Sequence, residues 1–121
     1  MSWTAEEMQI YRRTALQRQR AEQQQAAQRR ERALELVQQA AAKLKAEFGV
    51  TRVMVFGSVL QPDRFSLWSD VDLAAWGLTS KNWLKAIGAV HDLGDIPINL
   101  VDVGCCSESL LAVIEQEGVE L

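Results

Sequence analysis

The sequence predicts an α/β (α+β) domain, a small mixed β-sheet flanked by helices, set behind one long N-terminal helix. Three observations carry this reading. From Trp3 to Phe48 there is neither Gly nor Pro, and Ala, Gln, Glu, Arg and Leu dominate, which are strong helix formers. Arg52-Val53-Met54-Val55-Phe56 is a β-branched and aromatic run that stops at Gly57-Ser58. Ser69-Asp70-Val71-Asp72-Leu73-Ala74 then opens a second, largely apolar run through Trp76.

The helix has a marked start. Thr4 or Ser2 can cap the first turn, with Glu6 and Glu7 beside the positive end of the helix dipole. Three zones follow. Trp3, Met8, Ile10, Tyr11, Ala15 and Leu16 are too many apolar groups for a free arm, so a second copy, a fold-back onto the domain or a different protein should cover them. Residues 17–32 offer only alanine to a core and read as a solvated rod. Ala33, Leu34, Val37, Ala40, Ala41, Leu44 and Phe48 recur at spacings of three and four, an apolar stripe for the sheet. A straight helix of ~45 residues at ~1.5 Å each would reach ~65 Å. A hairpin broken near Gln23 to Gln28, or disorder in the polar middle, are the alternatives.

The first strand ends where chemistry can begin. A glycine lets backbone N–H groups approach an anion, and Ser58 adds a donor at the start of a short helix, so Gly57-Ser58 reads as a phosphate cradle. On the next strand Asp70 and Asp72 leave the same face, because side chains at i and i+2 do. Two half-buried anions that close repel each other unless a cation lies between them, and oxygen-only ligands suit Mg²⁺ or Mn²⁺. Cation and polyphosphate held together meet the joint requirement of phosphoryl or nucleotidyl transfer.

After the second strand, Thr79 or Ser80 is expected to cap a helix over roughly Lys81 to Asp92, with Trp83, Leu84, Ile87 and Val90 mostly inward and His91 in its last turn. A third strand is expected over about Ile98 to Val103. Ser107 should cap a last helix, Glu108 to Glu117, ended by Gly118.

This order, with eleven residues between Gly57-Ser58 and Asp70, resembles a minimal nucleotidyltransferase (MNT) of the DNA polymerase β-like superfamily. It is especially similar to the MNT antitoxins of HEPN/MNT toxin–antitoxin systems. The match runs from about Glu31 to Leu121, which divides the chain into an extension over 1–30 for partner or oligomer contact and a domain over 31–121. The resemblance implies that Ser58 and Gly57 hold nucleotide phosphate; Ser69 and Arg64 are further candidates for nucleotide binding, Arg64 either pairing with a triphosphate or lying solvated in its loop. Asp70 and Asp72 would hold metal, Mg²⁺ or Mn²⁺. It further implies ATP as substrate, AMP transfer to a hydroxyl, expected to be a tyrosine, and a HEPN-domain toxin encoded nearby as partner.

Two departures stand out. In Ile96-Pro97-Ile98-Asn99-Leu100-Val101-Asp102 the family's third aspartate aligns with Asn99, so the catalytic set reads Asp70, Asp72, Asn99 with one formal charge missing. Ligand charge governs affinity for hard cations, so this position is weakened. Asp102, three residues on, belongs to the opposite strand face. Between the motifs, Arg64 is the sole cation, and Trp68 is either a stacking surface for a base or a plug under the loop. A catalytically weakened fold that neutralises its partner through the helical arm is the alternative function.

Charge is split along the chain. Residues 1–48 hold nine Lys or Arg against six Asp or Glu, and residues 49–121 hold four against ten. The acidic half argues against direct nucleic-acid binding. No apolar run approaches the ~20 residues of a membrane span, and the polar N-terminus lacks a signal-peptide core, so a cytoplasmic protein is expected. Cys105 and Cys106 lack further Cys or His to complete a metal site and read as free thiols.

Overall fold

A computed structural model describes residues 2–121. Helix α1, Ala5–Glu47, is a single uninterrupted rod of 43 residues, ~65 Å long at ~1.5 Å per residue. No hairpin breaks it. Thr4 caps it, its hydroxyl accepting from the Glu7 amide at 3.1 Å. Strand β1 (Arg52–Phe56) leads through a 3₁₀ turn at Ser58–Leu60 and a loop to β2 (Val71–Trp76). Then come α2 (Trp83–His91), β3 (Ile98–Asp102), a second 3₁₀ turn, α3 (Glu108–Glu117) and β4 (Val119–Glu120).

The sheet order is β3-β2-β1-β4. β1 is antiparallel to β2 and β4, whereas β2 and β3 are parallel, so the sheet is mixed as expected. The period-2 alternation sorts its side chains onto two faces. Val53, Val55, Val71, Leu73, Ala75 and Ile98 pack with Ala33, Val37, Ala40 and Leu44 of α1 and Ala86 and Val90 of α2. Met54, Phe56 and Ala74 pack on the other side with Ile114 and Leu110 of α3. The terminal stretch of α1 is therefore integral to the main core, and the stripe read from the sequence is the buried one, joined by Leu36.

Four expectations need correction. Residues 17–32 are not wholly a solvated rod: Arg29 and Arg30 are half-buried against the domain, and Arg32 pairs with Asp95. Helix α2 begins at Trp83 with Asn82 as cap, not Thr79 or Ser80. Asn82 serves the preceding turn instead, accepting from the Thr79 amide at 2.8 Å and donating to the Phe48 carbonyl at 3.0 Å. Trp83 and Leu84 are exposed, Leu84 at 68%, while Ala86 and Val90, four residues apart, form the buried face. The two-residue β4 was not foreseen, since nothing in Val119-Glu120 exceeds the length of a turn.

Ser107 does cap α3, its hydroxyl accepting from the Leu110 amide at 3.2 Å, and Gly118 ends it. There the chain turns so tightly that a Cβ would strike the Ile114 carbonyl. The sheet gains its last strand from that turn. Arg52, at the start of β1, fixes this corner by lying 4.5 Å over Trp76 and pairing with Glu115 and Glu120.

Candidate functional site

Where β1 ends, Gly57 adopts φ +85° and the chain closes the 3₁₀ turn, Leu60 donating to the Gly57 carbonyl at 3.1 Å. Phe56 lies opposite Asp72 in the β1–β2 register, which carries the turn to the Asp72 side chain. A Cβ on Gly57 would stand 2.5 Å from Asp72 Oδ2. Glycine is therefore required twice, for a positive φ and for the close approach. The Gly57-Ser58 turn and the carboxylate share one wall.

Asp70 immediately precedes β2 and is exposed; Asp72 is its second residue and half-buried. Their two-residue spacing gives them the same face as Ala74, the α3 side, beyond the cover of that helix. Burial pushes the Asp72 carboxyl above the ordinary carboxylate range, the Asn99 hydrogen bond pulls it down, and the Asp70 charge raises it again.

Asn99 stands directly opposite Asp72 in the parallel β2–β3 pair, and its Nδ2 donates to Asp72 Oδ1 at 3.3 Å. The register thus brings Asn99 and Asp72 together. Asp102 points elsewhere: its carboxylate accepts from the Gly104 amide at 3.0 Å and from the Cys105 thiol, whose pKa it raises. The two carboxylates supply the oxygen ligands that suit a hard divalent cation, while Asn99 turns its amide N–H, not its carbonyl, toward Asp72. Among the described residues no group of three or more His, Cys, Asp or Glu converges, so the charge of this set stops at two carboxylates.

The remaining expected residues sit close in the chain but differ in role. Ser58 opens the 3₁₀ turn and is half-buried. The Ser69 hydroxyl is occupied within its loop, accepting from the Ser66 amide at 2.9 Å. Arg64 is exposed on the same loop. Phe65, 3% exposed, is the plug under that loop, while Trp68 stands out at 86% exposure. A groove of about 810 Å³ runs between this loop and the middle of α1, lined by Ala26, Ala27, Arg30, Phe65 and Trp68 among others.

Sequence reasoning missed Arg29 and Arg30. Arg29 Nη2 donates to the Ser69 carbonyl at 3.0 Å, and Arg30 Nε donates to the Val59 carbonyl at 2.6 Å. The available signal was position: the pair lies one turn before Ala33, the first fully buried residue of the stripe.

No protein-family model and no curated protein matches the chain. Solved structures do. The antitoxin chain in a tyrosine-to-alanine variant of the MntA–HpeT toxin–antitoxin complex matches 69% of this chain over 69% of its own, at 20% identity and a TM-score of 0.58. A variant of the same complex with two aspartate-to-glutamate changes matches 75% over 70%, at 18% identity and a TM-score of 0.50. A tri-AMPylated Shewanella oneidensis HEPN toxin bound to MNT antitoxin gives 81% over 70%, 19% identity and a TM-score of 0.46, too loose to argue from. The chain shares the fold of the antitoxin in the MntA–HpeT complex.

Proposed function

We propose that this chain is the antitoxin of a HEPN/MNT-type toxin–antitoxin pair and that it transfers AMP from ATP to a hydroxyl, a tyrosine, of its HEPN-domain partner. One observation carries the chemistry: the Gly57-Ser58 turn abuts the Asp72 carboxylate so closely that no side chain fits between them. The shared fold with the antitoxin of the MntA–HpeT complex supports the biological setting.

In this reading Gly57 and Ser58 hold the polyphosphate, with Arg64 as a further cation of the adjoining loop. Asp70 and Asp72 would hold Mg²⁺ or Mn²⁺, which when bound offsets phosphate charge and polarises the α-phosphate. The acceptor oxygen bonds to the α-phosphorus, the bond to the bridging oxygen of the β-phosphate breaks, and pyrophosphate leaves. The hydroxyl proton passes to water, because the Asn99 amide takes no proton at neutral pH.

Asn99 also favours a second reading, in which the site binds nucleotide weakly and the protein neutralises its partner by contact alone. Trp3, Ile10 and Tyr11 on the exposed arm are then the contact surface, with homo-oligomerisation through the same face as the competing use. One assay separates the two: the protein, its genomic neighbour, labelled ATP and Mg²⁺ are incubated together, and the neighbour is weighed. A nucleotide-sized mass gain supports transfer. No gain, with full neutralisation by an Asp70→Asn, Asp72→Asn variant, leaves contact as the mechanism.

A further inference from the structure

We propose that Arg29 and Arg30 are positioning residues through which the long helix sets the separation of the two halves of the nucleotide site. The inference rests on the reading of Gly57, Ser58, Asp70 and Asp72 as that site. The two halves lie at opposite ends of the β1–β2 connection: one is the turn after β1, the other the chain entering β2. Each is gripped by a carbonyl. Val59, the second residue of the 3₁₀ turn, accepts from Arg30 Nε at 2.6 Å, and Ser69, the residue before Asp70, accepts from Arg29 Nη2 at 3.0 Å.

Neighbours on a helix point about 100° apart, so the two guanidinium groups leave α1 on either side of the line through Ala26 and Ala33. Small residues on that line let the helix lie close while the arginines reach outward to the two ends of the β1–β2 connection. A guanidinium suits the task, since it is always charged and presents donors in a rigid plane. The Ser69 carbonyl belongs to the peptide plane that leads into the Asp70 backbone, so holding it aims Asp70. Val59 follows Ser58 directly, so holding its carbonyl fixes the phosphate-type turn. The arm and the site thereby share one rigid element.

Arg29 carries a mark of this constraint. Its Nε is buried and has no hydrogen-bond partner, while its Nη2 is spent on Ser69. Lysine at this position removes the unpaired donor and keeps one N–H donor for the carbonyl. Arg32, three residues on, provides the contrast: it pairs with Asp95 on the surface rather than with a carbonyl of the β1–β2 connection.

The test uses Arg29→Ala, Arg30→Ala, Arg29→Lys and Arg32→Ala in the full chain, followed by amide hydrogen exchange and by Mg²⁺–ATP titration. We expect exchange at Leu60 and Gln61 in the Arg30→Ala variant, and at Ser69 in the Arg29→Ala variant, to quicken about tenfold. Arg29→Lys should restore the wild-type rate, and Arg32→Ala should leave both loops unchanged. Mg²⁺–ATP affinity should fall at least fivefold in the two alanine variants and not in Arg32→Ala. Unchanged loop exchange in the alanine variants, or equal quickening in Arg32→Ala, overturns the positioning role. Quickened exchange with unchanged nucleotide affinity overturns it as well. A wild-type protein without Mg²⁺–ATP affinity fails the nucleotide reading, and with it the assignment of these arginines to that site, even where the exchange pattern is as expected.

Discussion

Asn99 donates its amide hydrogen to Asp72 Oδ1 across 3.3 Å, at the register point where β2 and β3 bring the second and third motif positions together. An amide in this place partly offsets the Asp72 charge by hydrogen bonding where another carboxylate would add to it. Replacing it is the most informative single change. Asn99→Asp should raise Mg²⁺–ATP affinity by on the order of tenfold, the effect of ~1.4 kcal/mol. Without divalent cation the same variant should be less stable than wild type, because three carboxylates then face each other. Calorimetric titration with and without Mg²⁺ checks both, and equal affinity would mean that position 99 is not a ligand.

The Asp72 carboxyl also sets a pH dependence. Burial raises its pKa in the folded protein above the unfolded value, so the protonated form favours folding. That contribution is fully present below the unfolded pKa and is lost as pH rises through the folded one. At neutral pH, without divalent cation, Asp72→Asn should therefore raise Tm, and the gain should vanish in acid. Mg²⁺ should stabilise wild type and not the variant. Thermal melts across pH, with and without Mg²⁺, read this directly.

Gly57→Ala should cost about 1–3 kcal/mol and lower Tm, through strain at positive φ and the clash with Asp72. Gly49→Ala is the control, for Gly49 has φ +68° with open space around it. It should carry the backbone term alone. A Gly57→Ala variant no less stable than Gly49→Ala would show that the turn does not press on Asp72.

The cap of α2 can be weighed against the one the sequence suggested. Asn82→Ala removes two hydrogen bonds, to the Thr79 amide and the Phe48 carbonyl, and should cost about 1–2 kcal/mol by chemical denaturation. Thr79→Ala should stay within ~0.5 kcal/mol. Equal costs would show that the Asn82 side-chain bonds add no stability at the entry to α2.

What could be read in advance follows from the range of the interactions involved. Local signals placed β1 at Arg52–Phe56, the first cap at Thr4 or Ser2, the last at Ser107, and the Gly57-Ser58 turn, because each depends on neighbours within four residues. Family resemblance put Asn99 forward and strand parity set Asp102 on the other face, and the β2–β3 register brings Asn99 opposite Asp72. β4 was not, since two residues become a strand only when Gly118 turns them onto β1. Arg29 and Arg30 were not legible either: a polar arginine pair looks the same in solvent as against a carbonyl 29 or 40 residues away. Trp83 and Leu84 misled because apolar character gave no sign of where α2 would start.

The account stands most directly on whether one divalent cation–nucleotide site joins the turn to the acids. Calorimetric titration of Mg²⁺–ATP into the wild-type chain and into the Asp70→Asn, Asp72→Asn variant measures it. The account predicts binding that requires Mg²⁺ and is lost in the variant with the fold intact by circular dichroism. Binding of equal strength in both proteins, or none in wild type at saturating Mg²⁺, would contradict it.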